Sequence, residues 1–184
     1  MPVQGHRFSV EEYYRLAEIG VLRADSRTEL LDGQIYDLFR VSPLHAAITQ
    51  LIAKPFFEQP EEQFIVSIRN PVRLDQFSEP EPDVVLIKYR PDYYKTRHPE
   101  PRDVFLLIEV ADVSLDYDRN KLSTYGRAGI PEVWIVNLDD RIVEIYREPD
   151  LNGYSSKIII SAGDTAKPQA FPDVAVDVGR LLES

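Results

Sequence analysis

The chain has 184 residues, with 21 Lys plus Arg against 31 Asp plus Glu and a net charge of −10. That length suits one domain with its own core, and the acidity excludes a wholly basic coat of the histone type. It leaves room for a local basic patch, or for carboxylates that gather a divalent cation. The absence of cysteine excludes disulfide scaffolds, thiolate zinc sites, iron–sulfur clusters and cysteine nucleophiles.

Ser9-Val10-Glu11-Glu12 is a capping box that predicts a short helix over 10–19, ended by Gly20. Thr28-Glu29-Leu30-Leu31 and Gln34-Ile35-Tyr36 flank Asp32-Gly33, a strong hairpin signal that places Glu29 on a strand. Residues 44–58 carry a helical pattern, with Pro55 as a kink or an end. Residues 64–74 read as a strand, and Pro71 marks it as an edge or a bulge. The runs at 83–87 and 104–110 have the apolarity of strands buried on both faces, joined by a polar loop. A helix over 116–128 closes at Gly129 and Pro131, and Val133-Trp134-Ile135-Val136 is a further buried strand with Trp134 in the core. Residues 142–146 and 154–160 form a second hairpin, and the tail 171–182 carries a weak strand and a terminal turn. Its Asp173-Val174-Ala175-Val176-Asp177-Val178 alternates like an exposed edge. A strand–helix–strand unit inside strand-rich flanks implies an α/β fold with a mixed sheet and helices on its faces. There is no repeat or linker, so 1–184 is expected to form a single domain. No apolar run approaches the ~20 residues of a membrane span, and residues 1–7 lack the apolar core of a signal peptide. A soluble cytoplasmic protein without a membrane partner is expected.

Glu109 is the most informative residue, because it interrupts an otherwise apolar strand. A buried carboxylate must be protonated, paired with a core cation or bound to metal. Asp83 opens the other buried strand, and if the two strands pair, both carboxylates converge at one end of the sheet. Two such acids repel unless a proton or a metal lies between them, and Mg²⁺ accepts one or two carboxylates with water and phosphate oxygens. Pro-Asp occurs four times in the chain, yet only Asp83 leads into an apolar strand that precedes another bearing a buried acid.

Asp118, Lys121 and Tyr125 share one face of the predicted helix. A helix following the Glu109 strand can aim Lys121 back at the acids, where it could orient water or stabilise a transition state. The alternative is an ordinary surface pair with Asp118. Glu29 is either a third acid or a solvent-facing strand residue. His45 starts a helix and could act near phosphate, although a lone histidine is more often structural. The loop 88–102 holds Lys88, Arg90, Lys95, Arg97 and Arg102 against Asp92 and Glu100, a local +3. With Tyr89, Tyr93 and Tyr94 interleaved, it is either a nucleic-acid contact or a solvated loop.

The ordered set Glu29-Leu-Leu-Asp-Gly33, His45, Pro82-Asp83-Val84, Ile108-Glu109-Val110, Asp118-Arg119-Asn120-Lys121, Tyr125 and Gly129-Ile-Pro-Glu-Val-Trp-Ile-Val136 resembles the Uma family of restriction-endonuclease-like proteins. That bacterial family, long catalogued as of unknown function, belongs to the PD-(D/E)XK nuclease superfamily. The resemblance spans nearly the whole chain and implies a restriction-endonuclease-like core with a mixed central sheet, flanking helices and two hairpins. It assigns Asp83 to the PD position and Glu109 to the acidic position, brings the Val110 carbonyl toward the metal, and makes Glu29 the upstream acid. Two departures stand out. The superfamily lysine would fall at Ala111, so Lys121 is the substitute; and the Ser-Pro often found after Glu-Val is absent here.

The first hypothesis is a Mg²⁺-dependent (or Mn²⁺-dependent) endonuclease that hydrolyses phosphodiesters of DNA, with RNA as the other substrate. Asp83, Glu109, Lys121 and Glu29 are its catalytic set, and a homodimer is the expected assembly. The alternative is a catalytically inactive binding or accessory module on the same fold. The geometry of Lys121 discriminates between them.

Overall fold

The computed structural model describes residues 5–23, 25–38 and 40–183. Residues 1–4 of the segment expected to lack a leader therefore lie outside the described chain.

The capping box forms as read: the Ser9 hydroxyl accepts from Glu12 N–H and the Glu12 carboxylate accepts from Ser9 N–H, opening α1 (Val10–Glu18). Gly20 follows the cap at φ +77. Asp32 (φ 52) and Gly33 (φ 80) make the turn between β1 (Thr28–Leu31) and β2 (Gln34–Asp37). Both turn residues need a left-handed backbone, which is why Asp-Gly serves there. Ser42 caps α2 (Pro43–Phe57), and Pro55 is carried inside that helix rather than ending it.

Six strands form the central sheet in the order β3 (Ile65–Ile68), β4 (Val84–Ile87), β5 (Val104–Ala111), β6 (Glu132–Asn137), β7 (Ile142–Asp150), β8 (Gly153–Ser161). Neighbours are antiparallel except β5 and β6, which run parallel around the crossover helix α3 (Leu115–Ala128). That is the mixed sheet expected. The strand expected over 64–74 is shorter: β3 stops at Ile68, because Arg69 turns to φ +52 and Pro71 has no N–H to continue a ladder. The second hairpin joins this sheet as β7 and β8, while β1–β2 stands apart as its own ribbon.

Strand alternation divides the core into two layers. Leu106, Ile108, Val110, Trp134 and Val136 pack under α2, whereas Leu107, Ala111, Val133 and Ile135 pack with Tyr125 of α3. The tail was misread in part. Val174, Val176 and Val178 alternate, but inward: they are 4%, 2% and 0% exposed and complete the α2 layer, with β9 (Thr165–Ala166), β10 (Val176–Asp177) and α4 (Val178–Leu181). A short alternating segment does not say which face is wet.

Gly126 brings α3 onto the β7–β8 turn. A Cβ at that position would lie 1.9 Å from the Gly153 carbonyl oxygen. Glycine inside a helix normally costs about 1 kcal/mol against alanine, so the exchange would usually stabilise. Here the backbone contact reverses the sign: Gly126→Ala is expected to lower unfolding stability by roughly 1–3 kcal/mol in urea titrations. A stabilised variant would show that the helix can move off the turn.

Candidate active site

The register of β4 on β5 pairs Val84 with Ile108, so one step further Asp83 stands opposite Glu109 at the end of the sheet. Asp83 is locked in place: Oδ2 accepts the Val110 N–H at 2.9 Å, and Oδ1 lies 2.8 Å from His45 Nε2 in the first turn of α2. Burial opposes the charge on His45, but the hydrogen bond and the charge of Asp83 outweigh it and hold the imidazole above its usual range. The histidine weighed as structural therefore stands against one of the two central carboxylates.

Glu109 points to the α3 side. Tyr125 donates to its Oε1 at 2.6 Å and Lys121 Nζ donates to the same oxygen at 3.1 Å. Lys121 Nζ also lies 2.9 Å from Glu29 Oε1 and 3.8 Å from Asp118 Oδ1. The spacing of Asp118, Lys121 and Tyr125 does put all three on the face of α3 that meets the sheet, and all are buried. The surface-pair reading of Lys121 is thus wrong: the lysine is buried and reaches Glu109.

Glu29 is wholly buried, which overturns its solvent-facing reading. Its Oε2 accepts the Glu81 N–H at 2.9 Å, and Tyr117 donates to its Oε1 at 2.6 Å. The hairpin is fastened to α3 a second time, where Thr124 and Arg127 donate to the Asp32 carboxylate at 2.7 and 2.6 Å. The Asp-Gly turn, read only as a turn, is therefore also the anchor that sets Glu29 over the site.

Three carboxylates thus surround one buried ammonium. Burial would neutralise Lys121, but Glu109, Glu29 and Asp118 together raise its pKa well above the ordinary value. One cation cannot balance three acids in a low dielectric. Burial pushes Glu109 up to about 8 against the pull of Lys121, and Asp118 up to about 6 in spite of Lys121 and the Ser114 hydroxyl. Burial therefore biases the Glu109 and Asp118 carboxyls toward their protonated forms, against the pull of Lys121.

These groups open on a cleft of about 620 Å³. It is lined by Asp83, Glu109, Val110, Asp118 and Lys121, by Tyr117 over Glu29, and by Ser42, His45, Arg27 and Arg69. Among the described residues, no three His, Asp or Glu gather into a ready-made metal cage. The donor set nevertheless fits a small hard cation. Magnesium commonly takes one or two carboxylates and leaves its other positions to water and phosphate. Asp83, just before β4, and Glu109, on the adjacent β5, are oxygen donors, and Glu109 Oε2 receives no hydrogen bond from the described residues.

The basic loop does not join this cleft. Lys88 and Val104 lie five residues from Asp83 and Glu109 along extended chain, about 17 Å toward the other end of the sheet. Its arginines are largely spent locally: Arg90 on Asp92 at 2.8 Å, Arg97 on Asp103 at 2.7 Å and Arg102 on Glu100 at 2.7 Å. Lys88 and Lys95 are exposed.

The sequence model of the family Uma2, described as "Putative restriction endonuclease", matches residues 10–179. A search of curated proteins finds no relative. Among solved structures, the chain superposes on a crystal structure of "a putative nuclease belonging to DUF820 from Anabaena variabilis ATCC 29413" with a TM-score of 0.69. The identity is 13% over 96% of this chain and 99% of that one, a likeness of fold. Among the described residues no helix is long and apolar enough to cross a membrane.

Proposed function

Because the chain belongs to the Uma2 family of putative restriction endonucleases, we propose that its cleft hydrolyses phosphodiester bonds of DNA with a divalent cation, Mg²⁺ or Mn²⁺. The observation that carries the reading is Lys121 seated between Glu109 and Glu29, beside an Asp83 fixed by backbone and histidine. This is the composition of a PD-(D/E)XK centre with its lysine supplied from the next helix.

Asp83 and Glu109 would hold the cation, with the Val110 carbonyl beside them. A bound Mg²⁺ supplies positive charge and Lewis acidity to the phosphate. Lys121 has three protons to donate. One goes to Glu109, Glu29 is held as an ion pair at 2.9 Å, and a proton not so engaged can serve a water or a phosphate oxygen on the cleft side. Its fixed charge faces the negative charge that grows on phosphorus oxygens, and being held already it needs no reorganisation. Tyr125 and Tyr117 keep the two glutamates from swinging. Burial holds the Glu109 carboxyl above its usual range, so binding of a cation there would favour its ionised form and should strengthen as pH rises.

The test is calorimetric titration of Mg²⁺ and Mn²⁺ into wild type and Asp83→Ala, beside cleavage assays on duplex and single-stranded DNA and on RNA. Asp83→Ala is expected to weaken metal binding at least about tenfold and to abolish cleavage. Equal metal affinity in the two proteins would refute this assignment. Cleavage confined to RNA would move the substrate.

A further inference from the structure

Arg69, which lines the cleft, keeps its side-chain donors unspent among the described residues. Arg69 ends β3 at φ +52, a left-handed backbone that glycine takes freely and a long side chain does not. Its main-chain N–H donates to the Asp83 carbonyl at 3.1 Å, which ties it to the carboxylate it stands beside. Its Nε lies 4.0 Å from Asp83 Oδ1, beyond hydrogen-bond reach, and is buried without a partner among the described residues.

Asp83 has no need of it, since His45 and Val110 N–H already take both carboxylate oxygens. Nor is Arg69 spent elsewhere, in contrast to Arg27, which donates to Glu81 at 2.9 Å. An orphaned buried donor is costly, and so is the backbone that carries it. Both are kept on a side chain that lines the cleft and remains 29% exposed.

We infer that Arg69 is the phosphate clamp of this cleft, its guanidinium gripping the non-bridging oxygens of the phosphodiester that Asp83 and Glu109 address. The planar fork of guanidinium matches two phosphate oxygens. Strand order supports the placement: Arg69 at the end of β3, Asp83 before β4 and Glu109 on β5 run side by side across one end of the sheet, with Lys121 beyond. A phosphate at the carboxylate pair thus meets a cation on each flank. The inference rests on the phosphodiester reading of the cleft.

The test compares wild type, Arg69→Ala and Arg69→Lys. One arm measures hydrolysis of bis(p-nitrophenyl) phosphate with Mn²⁺, another calorimetric binding of inorganic phosphate without metal, and a third calorimetric binding of Mn²⁺. Arg69→Ala is expected to lower kcat/KM roughly 100-fold, with partial rescue by added guanidinium, while Mn²⁺ affinity stays near wild type. Arg69→Lys keeps the charge without the fork and should fall between. Phosphate affinity should drop about tenfold in Arg69→Ala. Hydrolysis within about threefold of wild type would overturn the clamp. If wild type hydrolyses nothing, the phosphate arm decides. Loss of phosphate affinity in Arg69→Ala keeps the clamp while the hydrolytic reading fails. Affinity equal in both proteins, or absent from both, removes the clamp.

Discussion

Lys121→Met is expected to cost about 3–5 kcal/mol of folding stability and to lower turnover about 10²–10³-fold, while leaving divalent-cation binding intact or tighter. Methionine keeps the unbranched length of the stem and removes only the charge and its donors. What it leaves behind is the reason for the stability loss. Glu29, Glu109 and Asp118 would be buried around an apolar tip, each within 4 Å of where the ammonium stood. They can then settle only by taking up protons or a metal ion. Denaturant unfolding with and without Mn²⁺ reads this directly: the deficit of the variant should shrink when the cation is added, since a ligand that binds only the folded state stabilises it. Loss of turnover together with loss of metal binding would instead make Lys121 a structural support of the ligands. Turnover near wild type would remove it from the chemistry.

Local signals in the sequence carried most of the fold. The Ser9 capping box, the Asp32-Gly33 turn and the αL Gly129 each state a short-range requirement that only a few residues meet, and each appears where it was read. The length of β3 and the inward face of Val174–Val178 were not legible. The first depends on a left-handed turn at Arg69 that an arginine does not announce, and the second on an α2 layer with a gap to fill.

The site divides along the same line. Glu109 could be read because a charge inside an apolar strand is an anomaly visible without a structure, and Asp83 because it opens an apolar strand that precedes the one bearing Glu109. Lys121 followed from helical spacing, since i and i+3 fix a common face whatever the tertiary fold. His45 was seen but not placed, because its importance is a contact across 38 residues. Arg69 was missed, and the sole signal was weak: an arginine before Asn-Pro at a strand end says nothing of an unspent donor. The basic loop shows what a charge count leaves out, the local pairing of its arginines. Counting charges gave Lys88–Arg102 an excess of cations, but Asp103 lies just outside that count and takes Arg97. Net charge over a window is a poor guide where the partners sit one residue beyond it.

Glu109→Gln is expected to abolish metal-dependent cleavage and yet to make the protein more stable at alkaline pH, a pairing that few other substitutions here could give. In the folded protein the Glu109 pKa stands at about 8, while an unfolded glutamate titrates near 4.5. A raised folded pKa contributes stability that is complete below the unfolded value and is lost as pH climbs through the folded one. Asp118, raised to about 6, acts with the same sign over a lower window. At the acid end, Glu144 has the opposite sign. Arg119, Tyr146 and Lys157 overcome its burial and hold it down to about 2, so its contribution disappears as pH falls toward that value. Wild-type stability should therefore peak in mildly acidic solution and decline toward pH 8. The Glu109 share of that decline is on the order of 2–5 kcal/mol. Glutamine is the neutral isostere of the protonated acid and can still accept from Lys121 and Tyr125, so the variant should match wild type near pH 5 and exceed it at pH 8. Urea unfolding at both pH values, in the absence of divalent metal, makes the comparison. A variant that is less stable at both would show that Glu109 is held as an anion by Lys121 and not as the proton store of the cluster.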